Sequence, residues 1–171
     1  GKEDYYHEFS ERIMRGELEH LDSIKFDESQ KFVTPEGKIV YGGGGIMPDV
    51  FVPVDTLGLS EYYNRVRSMG LMYRFAFHYT DQQRDKLTKY TNPRDMEAYL
   101  DTQDLMPHFI SYAQEEGLEP DDADIRTSGS ILLKTIKAYI ARNIIDNEGF
   151  YPIIADIDQT LMVAIDTIAS F

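Results

Sequence analysis

The sequence predicts a mainly α (α+β) protein, in which an N-terminal β-hairpin and short strand segment precede a helical bundle of about five to six helices. Apolar side chains recur at helical spacing over most of the chain after Ser60. A Pro-Glu-Gly turn at residues 35–37 separates two short runs of β-forming residues. The chain has 171 residues, of which 42% are hydrophobic. A chain of this length and composition can bury a core without a metal or a disulfide.

The N-terminal segment is predicted to be a short helix over residues 3–16. Tyr6 and Ile13 fall at helical spacing, and Gly16 supplies a C-terminal stop. The next residues, 17–31, are polar and weakly patterned. They are therefore predicted to form a loop or a frayed helix.

A β-hairpin is predicted over residues 31–41, because proline fits the first central position of a turn and glycine tolerates a positive φ. Four consecutive glycines follow at residues 42–45, and then a β-branched run that includes Val50. Pro48 and Pro53 each lack a donor for a strand ladder. This last strand should therefore be short or lie at an edge.

The bundle is predicted to consist of helices over residues 60–69, 71–90, 93–101, 104–116, 131–145 and 151–169. Asn92 followed by proline is a helix start signal. The last helix has the broadest apolar face. We expect burial of Ile140, Ile154, Ile157 and Leu161, so that Ile157→Ala would cost about 2–5 kcal/mol.

Composition excludes several classes of function. The formal net charge of −13 argues against a nucleic-acid binder, which needs a basic surface. No apolar run approaches the roughly 18 residues of a membrane span. The absence of cysteine removes zinc ribbons, thiol catalysis, iron–sulfur clusters and disulfides. We predict no cofactor.

The glycine run and the histidines are weak candidates for ligand sites. A phosphate-binding loop needs glycines that lead into a helix, whereas Gly45 leads into a predicted strand. A close-packed connector between strands is the better interpretation. The four histidines, at positions 7, 20, 78 and 108, show no metal-binding spacing. We therefore predict no metal site.

Residues 115–124 are rich in carboxylates but lack the spacing of a calcium-binding loop. Asp121 and Asp122 follow Pro120, which suits the start of a helix, where carboxylates meet the positive end of the dipole. We favour this helix start over a specific ion site.

A serine–lysine pair is the nearest approach to a catalytic arrangement. The candidates are Lys134 paired with Ser128, or with Ser130 four residues before it on a predicted helix, but an ordinary lysine is a poor base. The small polar residues 127–130 are better interpreted as the N-cap of the helix over 131–145. We predict no catalytic residue in this chain.

One stretch resembles a known family. Residues 34–50 contain Gly-Lys-Ile-Val-Tyr-Gly-Gly-Gly-Gly-Ile-Met-Pro-Asp. This is similar to the pattern Gly-Arg-x-Val-Tyr-Gly-Gly-Gly-Gly-Ile-x-Pro-Asp of the C-terminal processing peptidases, the tail-specific serine proteases of bacterial envelopes, in their Bacteroidetes-type form. Lys38 stands where that family usually has arginine. The resemblance covers about the first third of the chain.

The resemblance implies a parent enzyme with a Ser-Lys dyad and an upstream PDZ domain, both of which precede residue 1 of this chain. No catalytic position is therefore carried over. What is carried over is a structural motif that closes the protease core: Gly42, Gly43, Gly44, Gly45, Pro48 and Asp49. The implied partners are the protease and PDZ domains of the parent, with protein substrates bound only through that parent. The implied location is the periplasm or cell envelope.

Residues 1–57 are predicted to be the tail end of the protease core and residues 58–171 a C-terminal helical domain. The leading hypothesis is a non-catalytic region of a serine endopeptidase that packs on, or oligomerises, the protease core. The alternative is a free-standing helical protein-binding or adaptor domain. If residues 32–54 normally complete the sheet of a protease core, the hairpin edge in this chain is expected to dock on its own helices or to pair with a second copy.

Overall fold

The computed structural model describes residues 2–20, 23–24, 28–42, 49–54 and 58–170. It confirms the predicted fold class: helices predominate, and a two-stranded antiparallel hairpin lies near the N-terminus. Among the described residues, short 3₁₀ turns cover Glu28–Gln30 and Ala155–Ile157. The regular elements are α1 (Lys2–Met14), β1 (Lys31–Val33), β2 (Ile39–Tyr41), α2 (Glu61–Ser68), α3 (Leu71–Leu87), α4 (Pro93–Asp101), α5 (Leu105–Glu115), α6 (Asp122–Ile145), α7 (Asn147–Ile154) and α8 (Gln159–Ala169).

The chain divides into two compact units, residues 1–55 and 56–171. Whether the first unit belongs to a protease core stays a prediction. A search of the described helices finds none with the length and apolar character that a bilayer crossing requires.

The first unit contains α1 and the hairpin. Phe32 lies opposite Val40 in the antiparallel pair, and the turn closes through the Gly37 amide, which donates to the carbonyl of Thr34 at 2.9 Å. Gly37 adopts a φ of 84°, the left-handed conformation that the turn requires and that glycine adopts without strain. The predicted hairpin is therefore formed.

The second unit is built around α6, which packs most extensively against α3 and α7. Its apolar stripe of Leu132, Ile136 and Ile140 is fully buried, as expected for residues four apart on one helix face. On α3, the buried Phe75 ring meets Phe109 of α5 edge to face at a centroid distance of 5.4 Å. These contacts give the unit one continuous core.

Helix α6 begins at Asp122, nine residues before the predicted start at 131. Asp121 is its N-cap and accepts a hydrogen bond from the Asp124 amide at 2.9 Å, which confirms the helix start predicted at Asp121 and Asp122. The N-cap predicted at residues 127–130 is wrong, because these residues lie inside α6. Ser128 uses its hydroxyl to bind the backbone of Gly58 and Ser60, just before α2.

The predicted single helix over 151–169 is also wrong. Helix α7 ends at Ile154, and Asp158 then caps α8 by accepting from the Leu161 amide at 3.0 Å. Seven helices therefore occupy the described part of residues 58–171, where six segments were predicted.

This break changes which side chains are buried. Ile140 is fully buried, as predicted, and Ile154 is only partly buried, but Ile157 and Leu161 are 39% and 40% exposed. The continuous apolar stripe does not form, because the backbone leaves the helical conformation at Asp158. No residue of α8 is buried, and the cost of 2–5 kcal/mol predicted for Ile157→Ala no longer follows.

Helices α6 and α7 meet through a close backbone contact. A Cβ atom added at Gly149 would lie 2.6 Å from the carbonyl oxygen of Ala141, so only glycine fits at this crossing. The turn between the two helices places Asp146 at φ 60° and ψ −147°, a conformation that non-glycine residues rarely adopt.

Candidate functional site

The motif that carries the family resemblance lies partly within the described residues. Gly42 follows β2 and donates its amide to the carbonyl of Gln30 at 2.8 Å. A Cβ atom at Gly42 would lie 3.1 Å from side-chain atoms of both Gln30 and Phe32, so this glycine is closely surrounded. Asp49 forms an ion pair with Lys38. Gly43, Gly44, Gly45 and Pro48 lie outside the described residues, as does the predicted connector that they form.

The hairpin exposes the apolar side chains of both its strands. Phe32 is 60% exposed, Val33 65%, Ile39 51% and Val40 37%. In the described part of the chain, each strand pairs with the other and with no third strand. A two-stranded hairpin in this state presents apolar surface to a partner.

A groove of about 270 Å³ lies in the second unit, between α3 and α5. Its lining combines aromatic rings, imidazoles, amides, a hydroxyl and one carboxylate: Phe75, His78, Tyr79, Gln82, Gln83, His108, Ser111, Tyr112 and Glu115. These residues recur at intervals of three or four on each helix, so one face of α3 and one of α5 form the two walls.

Aromatic rings form the floor of the groove. Phe75 packs against Tyr112 at a centroid distance of 5.6 Å, and the His78 ring stacks over Tyr112 at 6.2 Å. Burial raises the pKa of Tyr79 and of Tyr112. Glu116 and Glu115 add to the effect on Tyr112, whereas Arg74 opposes it. Both phenols therefore stay neutral and keep their hydroxyl protons at physiological pH.

The rim of the groove is polar. Gln82 Nε2 lies 2.9 Å from His78 Nε2. The two exposed side chains thus form a hydrogen bond across one turn of α3. His108 and Glu115 are exposed on α5. Among the described residues, no three His, Asp or Glu side chains come close enough together to hold a metal ion.

A cluster of four charged side chains joins α4, α6 and the second 3₁₀ turn. Arg94 forms two parallel hydrogen bonds with Asp156, at 2.6 and 2.8 Å, and a third with Glu97 at 3.0 Å. Lys134 of α6 donates to Asp156 at 2.6 Å and also pairs with Glu97. Arg94, and then Lys134, hold the pKa of Asp156 well below its ordinary value.

This cluster argues against Lys134 as the base of a serine–lysine pair. Burial acts to lower the pKa of Lys134, but the hydrogen bonds to Asp156 and Glu97 outweigh it and leave that pKa raised. The lysine is thereby held in its charged form, which is the wrong state for a general base. Ser130 is exposed on α6. The buried Ser128 accepts from the Ser60 amide at 2.8 Å and donates to the Gly58 carbonyl at 2.7 Å, a structural arrangement.

The carboxylates between residues 115 and 124 do not converge on one point. Glu116 pairs with Arg74 at 2.8 Å, and Glu119 accepts from Gln114 at 3.2 Å. Asp124 accepts from the Tyr62 amide at 2.8 Å. Each of these carboxylates therefore stabilises a helix end or a helix pair, in line with the interpretation of this segment as a helix start.

The groove is the feature that sequence reasoning missed. His78 and His108 show no metal-binding spacing, and their 30-residue separation is no reason to place them in one groove. The signal was present within each helix, in the spacing of Phe75, Tyr79 and Gln82, but it does not reveal which face α5 will present. The pairing of the two faces depends on tertiary packing alone.

Comparison with known proteins gives one match. Residues 62–146 match a family model described as a family of unknown function (DUF8443). The match runs from α2 to the end of α6, so it includes the groove and excludes the hairpin. No curated protein and no solved structure matches the chain. The second unit is thus similar, over 85 of its residues, to a family without an assigned activity.

Proposed function

We propose that this chain is the non-catalytic C-terminal region of a cell-envelope serine endopeptidase of the C-terminal processing type. It would take part in proteolysis by packing on, or oligomerising, the protease core. The partners are the protease and PDZ domains of the same parent chain, and the location is the periplasm or cell envelope. The support is the motif of residues 34–50.

The observation that carries the proposal is the hairpin itself. Four apolar side chains, Phe32, Val33, Ile39 and Val40, are exposed on a hairpin of only two strands. An isolated two-stranded hairpin is marginally stable in water, and a larger sheet would supply the neighbours that cover these side chains. Two of these side chains, Ile39 and Val40, belong to the family motif itself.

The proposal assigns no catalytic step to this chain. The dyad of the parent would hydrolyse the peptide bond, whereas Lys134 of this chain is held charged by Glu97 and Asp156. We expect the isolated chain to show no peptidase activity towards an unfolded protein. Hydrolysis that Ser130→Ala or Lys134→Ala abolishes would contradict the proposal.

The upstream part of the reading frame supplies the first test. The proposal requires a PDZ segment and the Ser and Lys segments of the dyad before residue 1. Hydrogen exchange then tests the hairpin: amides of residues 31–42 should exchange slowly in the full-length protein and quickly in this chain alone. Equal exchange in both would contradict a role for the hairpin in a larger sheet.

A pair of surface variants of the full-length enzyme sharpens this test. Phe32→Ser with Val40→Ser should lower peptidase activity at least tenfold, because it removes the apolar surface that the core would cover. Tyr73→Ser and Phe77→Ser, at similarly exposed positions on α3, serve as the matched control and should leave activity unchanged.

The alternative is a free-standing helical protein-binding or adaptor domain. The groove between α3 and α5 and the exposed apolar residues of α8 favour it, because such surfaces are typical of interaction modules. An upstream reading frame without protease segments would favour this alternative over the first proposal.

A further inference from the structure

We propose that α8 is a self-association surface, through which two copies of this chain form a weak dimer by packing their α8 helices against each other. The proposal rests on the orientation, the charge and the size of the apolar face of α8. It does not depend on the proposed function, because it uses only the surface of the second unit.

The apolar side chains of α8 point away from the unit to which the helix belongs. Successive residues of an α-helix are turned by about 100°, which places six apolar residues of α8 within an arc of about 160°. All six are exposed: Leu161, Met162, Ala164, Ile165, Ile168 and Ala169. Val163 and Thr167, on the opposite side of the helix, are half-buried. A surface helix normally has the reverse arrangement, with its apolar face turned inward.

The exposed arc forms one continuous patch. Its four large side chains are well exposed: Leu161 40%, Met162 48%, Ile165 52% and Ile168 73%. Leu161, Ile165 and Ile168 are four and three residues apart, which is the spacing of the seam between two paired helices. Such a patch reaches a few hundred Å², the size at which exposed apolar surface marks an interaction site.

The charge of the patch favours a second copy over a charged partner. Asp166 is the one charged side chain in Gln159–Ala169, and by helical geometry it lies outside the arc. The arc therefore offers no ion pair to a partner that is recognised by charge. Two copies with a net charge of −13 each repel one another, so an uncharged face is where they can approach most closely.

The size of the patch matches α8 itself. With 11 residues, α8 is about 16 Å long. One helix of the same length covers the patch, and a two-fold axis supplies that helix to both copies without any further element. Two such patches bury about 800–1,000 Å² together, which is at the low end for a specific interface and predicts a weak dimer.

Sedimentation equilibrium of the intact chain tests the proposal. Between about 5 and 500 μM we expect a shift from monomer to dimer, with a dissociation constant between about 10 μM and 1 mM. Raising NaCl from about 50 to 500 mM should tighten the dimer at least twofold, because salt screens the repulsion between two acidic copies. A chain that stays monomeric throughout would overturn the proposal and leave the patch to a different partner. A dimer that weakens with salt would also overturn it.

Matched variants locate the contact on α8. Ile165→Gln with Ile168→Gln should weaken the dimer at least tenfold, because each change occurs twice in a symmetric pair. Glutamine adds no charge and favours a helix, and circular dichroism verifies that the variant is folded. Phe77→Gln, which removes a 56% exposed side chain from α3, is the control and should leave the dissociation constant unchanged. Equal weakening by both would overturn the proposal.

The hairpin is the competing contact between two copies. The variant Phe32→Ser with Val40→Ser should leave the dimer intact if α8 holds it. Loss of the dimer in this hairpin variant, with no loss in the α8 variant, would overturn the assignment to α8.

A single introduced cysteine gives a second readout, since the chain has none. Ile165 lies next to the midpoint of α8, so it comes near its counterpart in both a parallel and an antiparallel pair. Under mild oxidation, Ile165→Cys should therefore form a disulfide-linked dimer at least tenfold faster than Phe77→Cys at the same concentration. Equal rates would overturn the proposal.

Discussion

Gly149 is placed where α7 crosses α6 so closely that a methyl group has no room. We predict that Gly149→Ala lowers the free energy of unfolding by about 1–3 kcal/mol, because its Cβ would lie 2.6 Å from the backbone oxygen of Ala141. Gly129→Ala is the matched control. There the new Cβ would lie 3.3 Å from the flexible end of Met106, so the gain in helix propensity, up to about 1 kcal/mol, should offset the crowding. Urea unfolding followed by circular dichroism measures both, and equal changes would contradict the prediction.

Asp146 carries backbone strain between α6 and α7. Its φ of 60° with ψ of −147° lies in a region that is almost reserved for glycine. Asp146→Gly should therefore raise the free energy of unfolding by about 0.5–1 kcal/mol, after allowance for the greater entropy of glycine in the unfolded chain. Asp146→Ala keeps the strain and should bring no gain. A thermal melt compares the two, and a stabilised alanine variant would show that the effect comes from the aspartate side chain instead.

The cluster of Arg94, Glu97, Lys134 and Asp156 joins the 3₁₀ turn after α7 to α4 and α6. Its contribution to the stability of the fold depends on pH. Because Arg94 and Lys134 lower the pKa of Asp156, the unfolded chain binds its proton more readily than the folded one does. This contribution to stability is present above the ordinary aspartate pKa of about 3.9 and is lost as the pH falls below it. We predict that Asp156→Asn lowers stability at pH 7 and removes this part of the acid dependence.

The matched control for this prediction is Asp166→Asn, which removes an equal charge from an exposed position on α8. Chemical unfolding at several pH values between about 2.5 and 7 gives the curves to compare, a window that spans the ordinary aspartate pKa. If both variants show the same pH dependence as the parent protein, then the cluster does not contribute in the way proposed here.

The helices with strong local signals were predicted well. Helix α4 covers Pro93–Asp101, the predicted range, because its start depends on Asn92, whose side chain accepts from the amides of residues 94 and 95. The start of α6 was misplaced because Ser128 has the chemistry of an N-cap, yet it satisfies a distant backbone at Gly58 and Ser60. Local sequence does not distinguish these two uses of a hydroxyl group.

Local sequence was also insufficient to predict two larger features. These are the break in the last predicted helix and the groove. A regular stripe through Ile154, Ile157 and Leu161 predicts one helix, but the cap at Asp158 divides it and α8 buries nothing. The groove requires that the faces of α3 and α5 meet. That pairing depends on the packing of the whole bundle, which residue spacing within one helix does not specify.

At the scale of the whole chain, the buried apolar side chains of the described residues all lie between Tyr62 and Ile153. We therefore predict that residues 56–171 retain cooperative thermal unfolding when the first unit is removed, with a midpoint within a few degrees of that of the full chain, since changes outside the core usually cost little stability. Calorimetry of the fragment and of the full chain measures this. A fragment that melts without cooperativity would show that the second unit depends on the first.

The arrangement of tyrosine rings makes the second unit visible to optical spectroscopy without a label. The chain contains 12 tyrosines and no tryptophan. Tyr90 stacks on Tyr99 at 4.9 Å, and Tyr73 meets Tyr139 edge to face at 5.5 Å. Rings fixed in such asymmetric surroundings produce near-ultraviolet circular dichroism, which disappears when tertiary packing is lost. With no indole to mask it, the tyrosine signal reports directly on the packing of the bundle.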